Sequence, residues 1–255
     1  MPLPHGGSPY LSVIVPAFNE SGCIGSTIAN IRTALAARGF TWELVVVDDG
    51  STDDSVAIAR TAAGGDQRIA IVAAPHGGKG AAVRRGILQV SGQWRLVADA
   101  DLSTSIEQVD AFLAAIVPGE TDIVIGSREA AGAVRVDEPW YRHAIGRLFN
   151  WIVQAAVFRG IDDTQCGFKL FRAEAAEWLF ARQRIDGFGF DVELLYLARR
   201  GGFAVRQVPV IWTYDDSSNV TVSAGLAGFV DIFRVRWNAL RGAYDRRIAE
   251  RDPAE

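Results

Sequence analysis

The sequence contains few of the side chains that bind zinc or perform covalent catalysis. Its 255 residues include two cysteines and three histidines. Cys23 and Cys166 suggest neither a disulfide framework nor a cysteine zinc site, and the histidines show no metal-ligand spacing. The chain also lacks a G-x-S-x-G nucleophile elbow. These absences argue against covalent catalysis and favour two small, reduced thiols in a cytoplasmic protein.

Long apolar runs and an excess of positive charge are also missing. No uninterrupted apolar run approaches the roughly 20 residues that span a bilayer. The segment 1–10 has no basic stretch followed by an apolar core, so no signal peptide is predicted. The formal net charge is −4, which argues against a general nucleic-acid binder. The 49% hydrophobic and 22% charged residues form an ordinary globular composition with ample core material.

The first half of the chain alternates strand patterns with helix patterns. Predicted strands cover 11–15, 43–47, 69–73, 94–98 and 123–125, and predicted helices cover 24–38, 54–63, 80–90 and 104–117. Thr104 and Glu107 fit a capping box for the last of these helices. This alternation predicts an α/β fold with a mostly parallel central sheet flanked by helices. In such sheets the chemistry gathers at the carboxyl ends of the strands.

The second half has a different texture but no linker in front of it. It begins with an aromatic and arginine-rich segment at 140–158 and a glycine-containing loop and strand at 161–171. Predicted helices follow at 191–200 and 225–244, with a strand at 204–212 between them. Because neither an internal repeat nor a low-complexity segment divides the chain, we predict one domain over 1–246 and a disordered tail over 247–255.

The most informative stretch is the strand that ends in Asp99 and Asp101. In extended backbone alternate side chains point the same way, so both carboxylates face one spot. Clustered carboxylates repel one another unless a positive group comes between them. A hard divalent cation, Mg²⁺ or Mn²⁺, that carries the phosphates of a substrate meets this need.

Two further polar turns follow predicted strands. In the turn after the second strand, Asp53 is expected to cap the next helix, whereas Asp48 and Asp49 are left without a structural task. A carboxylate there could bind a nucleobase or ribose, or could be a turn residue. The glycine-rich turn 76–80 lacks the P-loop pattern, but its backbone N–H groups could bind an anion. Lys79 then lies near a phosphate donor or is a solvated surface lysine.

The order of the motifs resembles that of the family 2 glycosyltransferases. The stretches LSVIVPAFNE, LVVVDDGSTDDS, GGKGAAVRRGI, RLVADADLST, DIVIGSRE, DTQCGFKLFR and GFGFDVELLYLARRGGF carry the resemblance over about 11–220. The later motifs are most similar to the branch that makes dolichyl- or polyprenyl-phosphate glucose, with the polyprenyl-phosphate mannose synthases as near relatives. The resemblance implies a GT-A fold with a nucleotide-sugar half at about 10–130 and an acceptor half at about 131–246.

The same resemblance implies roles for individual residues. Asp99 and Asp101 would form the metal and diphosphate site, although Ser103 stands where some mannose synthases have a glutamine ligand, so water would complete the metal shell. Arg128 would meet phosphate, and 165–169 would line the active site. The implied nucleotide contacts are Pro16, Ala17, Glu20 and Asp49.

Two helical patterns in the second half bear on the acceptor. One carries Trp140, Ala144, Leu148, Trp151, Ile152 and Ala155, with Arg142, Arg147 and Arg159 interspersed; the other carries Leu226, Phe229, Ile232, Phe233, Trp237 and Leu240, with Arg234, Arg236 and Arg241. Basic residues beside an aromatic and aliphatic face suit an anionic bilayer surface. Each helix could instead cover its own core. We predict peripheral attachment to the cytoplasmic face of a membrane.

These observations support one main hypothesis and two alternatives. The first is an inverting glycosyltransferase that moves glucose from UDP-glucose to a polyprenyl phosphate, with Arg128 and Lys169 holding the acceptor. GDP-mannose as donor is an alternative. A second hypothesis keeps the fold but uses a hydroxyl acceptor, which needs a base, and Asp191 is the candidate by position. A third, a non-catalytic nucleotide-sugar-binding module, has no evident use for the whole set of charged residues.

Overall fold

The described part of the chain forms a main sheet covered by helices on both faces, with a separate two-stranded sheet. The computed structural model describes residues 7–214 and 222–245, with side chains in the second stretch described from 227 onward. The predicted tail 247–255 and the side chain of Leu226 lie outside the described residues. The strands are β1 (Leu11–Ala17), β2 (Trp42–Asp48), β3 (Ile69–Ala73), β4 (Trp94–Val97), β5 (Ile123–Ser127), β6 (Val134–Val136), β7 (Lys169–Arg172), β8 (Val205–Pro209) and β9 (Ile211–Thr213).

The helices follow the predicted alternation in the first half. They are α1 (Ile24–Ala36), α2 (Ser55–Ala63), α3 (Lys79–Gln89), α4 (Val109–Ala114), α5 (Trp140–Ala156), α6 (Ala173–Phe180), α7 (Phe190–Arg200) and α8 (Val222–Leu240), with a 3₁₀ turn at Ile106–Gln108 before α4. The sequence patterns did not predict α6 or β6.

The seven-stranded main sheet has the order β3-β2-β1-β4-β7-β5-β8. β3, β2, β1 and β4 are parallel, and β5 is parallel to β8. β7 is antiparallel to both of its neighbours, β4 and β5. The mostly parallel sheet is confirmed. Because β7 belongs to the second half of the chain but lies between two strands of the first half, the sheet joins the two halves.

The sheet strands are apolar because helices cover both faces. Every residue of β1 and β2 is buried, as expected for parallel strands with two covered faces. Ile14 packs in the cluster with α3 and α5–α8, whereas its neighbours Val13 and Val15 pack in the cluster with α1, α2 and α4. This alternation follows from the two-residue period of a strand.

Two predictions about local structure were wrong. The predicted strand at 204–212 is two strands: β8 joins the main sheet, and β9 pairs with β6 in a separate two-stranded sheet. Thr104 does not cap a helix. It forms an isolated bridge with Trp212, and Ser105 stands at the start of the 3₁₀ turn. Long-range pairing with β9 therefore replaces the local capping box at this position.

Buried polar contacts fasten α8 and the segment that follows it to the start of α7. The Tyr244 hydroxyl donates to Glu193 Oε1 at 2.6 Å, and Glu193 Oε2 accepts the backbone N–H groups of Arg184 and Ile185. The Asp231 carboxylate of α8 accepts the N–H of Gly189 at 3.2 Å. Buried polar groups that keep partners avoid a desolvation cost of roughly 1–3 kcal/mol each. These contacts fix the loop that leads into Asp191.

Candidate active site

The charged residues predicted from the sequence gather at one edge of the main sheet. β4 and β5 end there, which brings Asp99 and Arg128 to this edge. Lys169 is the first residue of β7, and in the sheet it pairs with both Val97 and Ile125. Because β7 is antiparallel, its amino end meets the carboxyl ends of its neighbours. The reversal of one strand therefore adds a lysine to the site.

Asp99 forms an ion pair with Lys79. The Lys79 Nζ atom lies 2.6 Å from Asp99 Oδ1, a buried atom with no partner in hydrogen-bonding geometry. Burial would raise the pKa of Asp99, but Lys79, Lys169 and Arg128 together bring this pKa below its usual value. Gly167 packs so closely that a Cβ atom there would lie 1.9 Å from Asp99 Oδ2. Only glycine at 167 leaves Asp99 in this position.

Asp101 carries the less compensated negative charge of the aspartate pair. Its Oδ1 accepts the backbone N–H of Ser103 at 2.8 Å. Burial and the neighbouring charge of Asp99 raise the pKa of Asp101. A cation beside this carboxylate would relieve both effects.

The donor set of the pair suits a hard divalent cation. Asp99 and Asp101 offer carboxylate oxygens, the ligands that Mg²⁺ and Mn²⁺ prefer. Asp99 Oδ1 is buried, and the Lys79 ammonium lies 2.6 Å from it. Among the described residues no group of three or more histidine, cysteine, aspartate or glutamate side chains is arranged to hold a metal. The protein would thus supply two ligands, and substrate oxygens or water would supply the others.

Lys169 and Asp191 form a second, deeper ion pair. Lys169 Nζ lies 2.7 Å from Asp191 Oδ1, and the exposed fractions of the two side chains are 3% and 8%. The Lys169 ammonium also donates to the carbonyl of Cys166. Burial raises the pKa of Asp191, and the negative charge of Asp99 adds to the increase, although Lys169 and Lys79 oppose it. The candidate base of the hydroxyl hypothesis is therefore bound to an ammonium.

Arg128 is paired with Asp163, a residue to which the sequence patterns assigned no role. Its Nε and Nη2 atoms donate to the two Asp163 oxygens at 2.7 and 2.9 Å. Asp163 is fully buried. Burial tends to raise the pKa of this carboxyl, but Arg128 lowers it to about 2. The available signal was the position of Asp163 at the start of the motif DTQCGFKLFR, which also contains Lys169.

Asp48 and Asp49 have structural tasks, contrary to the expectation from the sequence. Asp48 accepts the backbone N–H groups of Gly50 and Ser51 within its own turn. Asp49 accepts those of Gly77 and Gly78, both at 2.8 Å. The anion bound by the glycine-rich turn is therefore a carboxylate of the protein itself. Asp49 fixes the segment that carries Lys79 to Asp99.

The remaining predicted nucleotide residues lie at the end of β1. Pro16 and Ala17 are its last two residues and are buried. Glu20 follows in the turn, where its backbone N–H donates to Ser55 Oγ at 2.7 Å. Phe18, which the sequence patterns did not single out, lies with its ring centroid 4.6 Å from that of His76. His76 in turn lies 2.8 Å from Asp49 Oδ2, so the end of β1 meets the glycine-rich turn.

Helices α5 and α8 pack together through Phe149 and Phe229, whose ring centroids are 5.1 Å apart. Their outer surface, here called the apolar face, carries nine of the thirteen large hydrophobic side chains exposed in the described chain: Trp140, Tyr141, Ile145, Leu148, Trp151, Val230, Phe233, Trp237 and Leu240. Ile232 of the predicted face is buried instead. Over 7–214 and 222–245, no helix has the length and hydropathy required to cross a membrane.

The fold is that of the GT-A glycosyltransferases. Glucosyl-3-phosphoglycerate synthase of Mycobacterium tuberculosis, solved with Mn²⁺, uridine diphosphate and phosphoglyceric acid, superposes with a TM-score of 0.66 at 20% identity. The alignment covers 96% of this chain and 80% of that chain. The same enzyme solved with uridine diphosphate gives a TM-score of 0.61 over 96% and 82% of the two chains.

Within this class the chain belongs to glycosyl transferase family 2, whose domain matches residues 12–180. It is 36% identical to a dolichyl-phosphate beta-glucosyltransferase of Trichomonas vaginalis, over 92% of this chain and 74% of that protein. The human dolichyl-phosphate beta-glucosyltransferase is 32% identical, over 92% of this chain and 77% of that protein. The family resemblance inferred from the motifs is confirmed.

Proposed function

We propose that the protein is an inverting glycosyltransferase that moves glucose from UDP-glucose to a dolichyl or other polyprenyl phosphate. One observation carries the proposal: relatives 32–36% identical over most of this chain are dolichyl-phosphate beta-glucosyltransferases. In the reaction, a phosphate oxygen of the lipid attacks the anomeric carbon of glucose. The bond between that carbon and the diphosphate breaks, and UDP leaves with the bonding electrons.

The donor lies across the edge of the sheet in this proposal. The base and ribose meet Pro16, Ala17, Glu20 and Asp49, and the diphosphate meets Lys79. Asp99 and Asp101 would hold Mg²⁺ or Mn²⁺, and such a cation would supply charge that neutralises the leaving diphosphate. The Mn²⁺ and uridine diphosphate in the synthase that shares the fold agree with such a donor site.

The arrangement of charges supports a phosphate acceptor rather than a hydroxyl. A phosphate monoester has a second pKa of about 6 and is largely ionised at neutral pH, so its attack needs no base. Arg128 and Lys169 hold this anion and screen its repulsion from the diphosphate. Asp191, the residue a hydroxyl acceptor would use as base, is in an ion pair with Lys169 at 2.7 Å.

The apolar face supports attachment of the enzyme to a membrane surface, where the lipid acceptor would reside. Trp140 is 81% exposed and Trp151 is 66% exposed on α5. Exposed apolar clusters of this kind mark interaction sites. The exposed arginines of the two helices, among them Arg147 and Arg236, suit the anionic headgroups of a cytoplasmic leaflet. These features support our proposal of a peripheral enzyme on the cytoplasmic face.

The test offers the purified protein both donors and both kinds of acceptor. UDP-glucose or GDP-mannose, labelled in the sugar, is incubated with dolichyl phosphate, with short polyprenyl phosphates or with soluble saccharides. We expect label from UDP-glucose in the lipid phase, as an acid-labile β-linked product. Label from GDP-mannose in that phase would change the donor, and label on a saccharide would change the acceptor. Binding of UDP-glucose without transfer to any acceptor would instead support the hypothesis of a non-catalytic nucleotide-sugar-binding module.

A further inference from the structure

The guanidinium group of Arg128 is held along one edge and over one face. Asp163 occupies the edge formed by Nε and Nη2, at 2.7 and 2.9 Å. Trp212 of β9 lies against the face, with its ring centroid 5.3 Å from Arg128 Cζ. A planar cation with a bidentate carboxylate on its edge and an aromatic ring on its face has a fixed orientation.

Asp163 is itself fixed by backbone donors. Its Oδ2 also accepts the N–H of Arg128 at 3.0 Å, and its Oδ1 accepts the N–H of Gln165 at 3.1 Å. The residue is fully buried. A buried carboxylate that loses its cation leaves an uncompensated charge, so the pair is maintained. The loop that leads to Lys169 and the end of β5 are thereby joined through one carboxyl group.

This clamp limits what Arg128 can offer a ligand. Of its guanidinium nitrogens, Nη1 has no hydrogen-bond or ion-pair partner among the described residues, whereas Nε and Nη2 both donate to Asp163. The side fork formed by Nε and Nη2 is therefore already occupied, and the donors left for an anion are the N–H bonds of Nη1 and the second N–H of Nη2. The ion pair also carries no net charge, so a bound anion depends on the direction of these remaining N–H bonds.

We infer that Asp163 is a positioning residue that directs the remaining N–H donors of Arg128 at the acceptor phosphate. This inference rests on the proposed function, and it adds a geometric condition to it. A phosphate bound by these donors and by the Lys169 ammonium keeps one orientation, in which a terminal oxygen faces the anomeric carbon. A guanidinium group free to rotate would not fix that orientation.

The first test replaces Asp163 by asparagine and measures binding and turnover separately. Asp163→Asn puts an amide N–H₂ against the guanidinium edge, so Arg128 loses its fixed orientation. We expect the Kd of farnesyl phosphate, measured by calorimetry, and the acceptor KM to rise about tenfold or more, the cost of losing a hydrogen bond to a charged group. The Kd for UDP is expected to remain unchanged. Equal losses for UDP and farnesyl phosphate would indicate a general structural defect and overturn the inference.

Asp122 provides a matched control at the opposite end of β5. Its Oδ1 accepts Nε and Nη2 of Arg172 at 3.0 and 2.6 Å, and its Oδ2 accepts the backbone N–H of Ala204. Asp122→Asn therefore breaks the same kind of pair away from the site. We expect no change in the Kd of farnesyl phosphate. A rise as large as that in Asp163→Asn would contradict a specific role for Asp163.

A double-variant comparison separates positioning from support of the fold, including the case in which Asp163→Asn alone does not fold. Arg128→Ala/Asp163→Asn removes both charges together and leaves no buried unpaired ion. If Asp163 acts through Arg128, this double variant and Arg128→Ala bind farnesyl phosphate within about twofold of each other. Added guanidinium ion should restore binding in Arg128→Ala but not in the double variant. A further loss of about tenfold in the double variant, or equal restoration in both, would refute the inference.

Failure of the proposed function gives a different result. A wild-type protein that binds farnesyl phosphate but transfers glucose only to a hydroxyl acceptor would refute the lipid-phosphate assignment, while the effect of Asp163→Asn on phosphate binding could still be present. A wild-type protein that does not bind farnesyl phosphate refutes both statements. Normal transfer to lipid phosphate together with an unaltered Asp163→Asn variant refutes this inference alone.

Discussion

The two halves of the sheet edge use their aspartates in different ways. At the ends of β1 and β2, Asp48 and Asp49 bind backbone N–H groups and fix turns. At the ends of β4 and β5 and the start of β7, the acidic residues Asp99, Asp163 and Asp191 each face a cationic side chain. Backbone donors build a rigid shape, whereas ion pairs hold charges that a substrate can engage.

The helices of the two halves differ in a related way. α1 and α2 bury their apolar residues against the sheet, and neither helix carries any of the large hydrophobic side chains exposed in the described chain. α5 and α8 instead leave the apolar face uncovered. Helices α1 and α2 of the first half thus cover their apolar residues, whereas α5 and α8 of the second half expose theirs. The predictions below test this contrast.

The largest effect is expected from loss of the metal site. Asp101→Ala should reduce transfer at least about 10³-fold, because it would remove a ligand of the proposed cation, whose stabilisation of the leaving diphosphate is expected to be several kcal/mol. Excess chelator should have the same effect on the wild type, and Mg²⁺ or Mn²⁺ should restore activity. Asp110→Ala, which breaks an exposed ion pair with Arg38, is the control and should be active. Full activity in chelator would exclude the metal.

Replacing the deep ion pair distinguishes the two acceptors. Lys169→Ala should raise the acceptor KM about 10²-fold, because it removes a charge that holds an anion. Asp191→Asn should keep substantial activity, since an ionised phosphate has no proton to give. A hydroxyl acceptor reverses the pattern, with turnover falling by about 10²–10⁴ in Asp191→Asn. Circular dichroism must show that both variants are folded. A collapse in Asp191→Asn with Lys169→Ala almost unaffected would favour the hydroxyl.

Membrane attachment should depend on the apolar face. Trp151→Ser and Trp237→Ser together should lower partitioning onto vesicles that contain anionic lipid about 10²- to 10⁴-fold, because each removes roughly 1.5–3 kcal/mol of apolar burial in the membrane. Thermal stability should hardly change, since both side chains are exposed. Leu88→Ser alters an exposed apolar residue in the first half of the chain and serves as the control. Equal partitioning of the double variant and the wild type would argue that another partner covers this face.

The nucleotide contact predicted in the first half of the chain is tested through Asp49. Asp49→Ala should weaken UDP binding by roughly 1–3 kcal/mol, measured by calorimetry, because a direct contact is lost or because the turn that carries Lys79 loosens. Turnover at saturating donor should suffer less. Asp66→Ala, which breaks a pair with Arg68 in a turn of the same half, is the control. Unchanged UDP affinity in Asp49→Ala would indicate that Asp49 acts only as a turn residue.

The smallest effect concerns stability and pH. The pKa of Asp163 is about 2 in the folded protein against an ordinary 3.8. A lowered pKa stabilises the fold above the unfolded value, and this stabilisation disappears as the pH falls from about 4 towards 2. The contribution is on the order of 2 kcal/mol. The difference in unfolding free energy between wild type and Asp163→Asn, from urea titrations at pH 6 and pH 3, should therefore be smaller at pH 3. A difference that does not depend on pH would contradict this pKa.

Local patterns in the sequence were sufficient to predict most strands and helices of the first half of the chain. The spacing of apolar residues, together with glycine and proline at the ends of elements, predicts the strands that end at Asp48 and Val97 and the helix that ends near Arg38. These signals are local because parallel strands buried on both faces are continuous apolar runs. The motifs were also enough to identify the family and to select Asp99, Asp101 and Lys169 as candidates.

Tertiary structure decided what the candidates contact. The partners of Arg128 and Lys169 stand 35 and 22 residues further along the chain, at Asp163 and Asp191, and no local period links them. β7 lies antiparallel between β4 and β5, and this placement brings Lys169 to the site. The residues of β7 alone do not predict it. The anion bound by the glycine-rich turn is the Asp49 carboxylate, which is likewise distant in sequence from the residues that it contacts. Side-chain pairing depends on distances in space, and these exist only after the sheet has assembled.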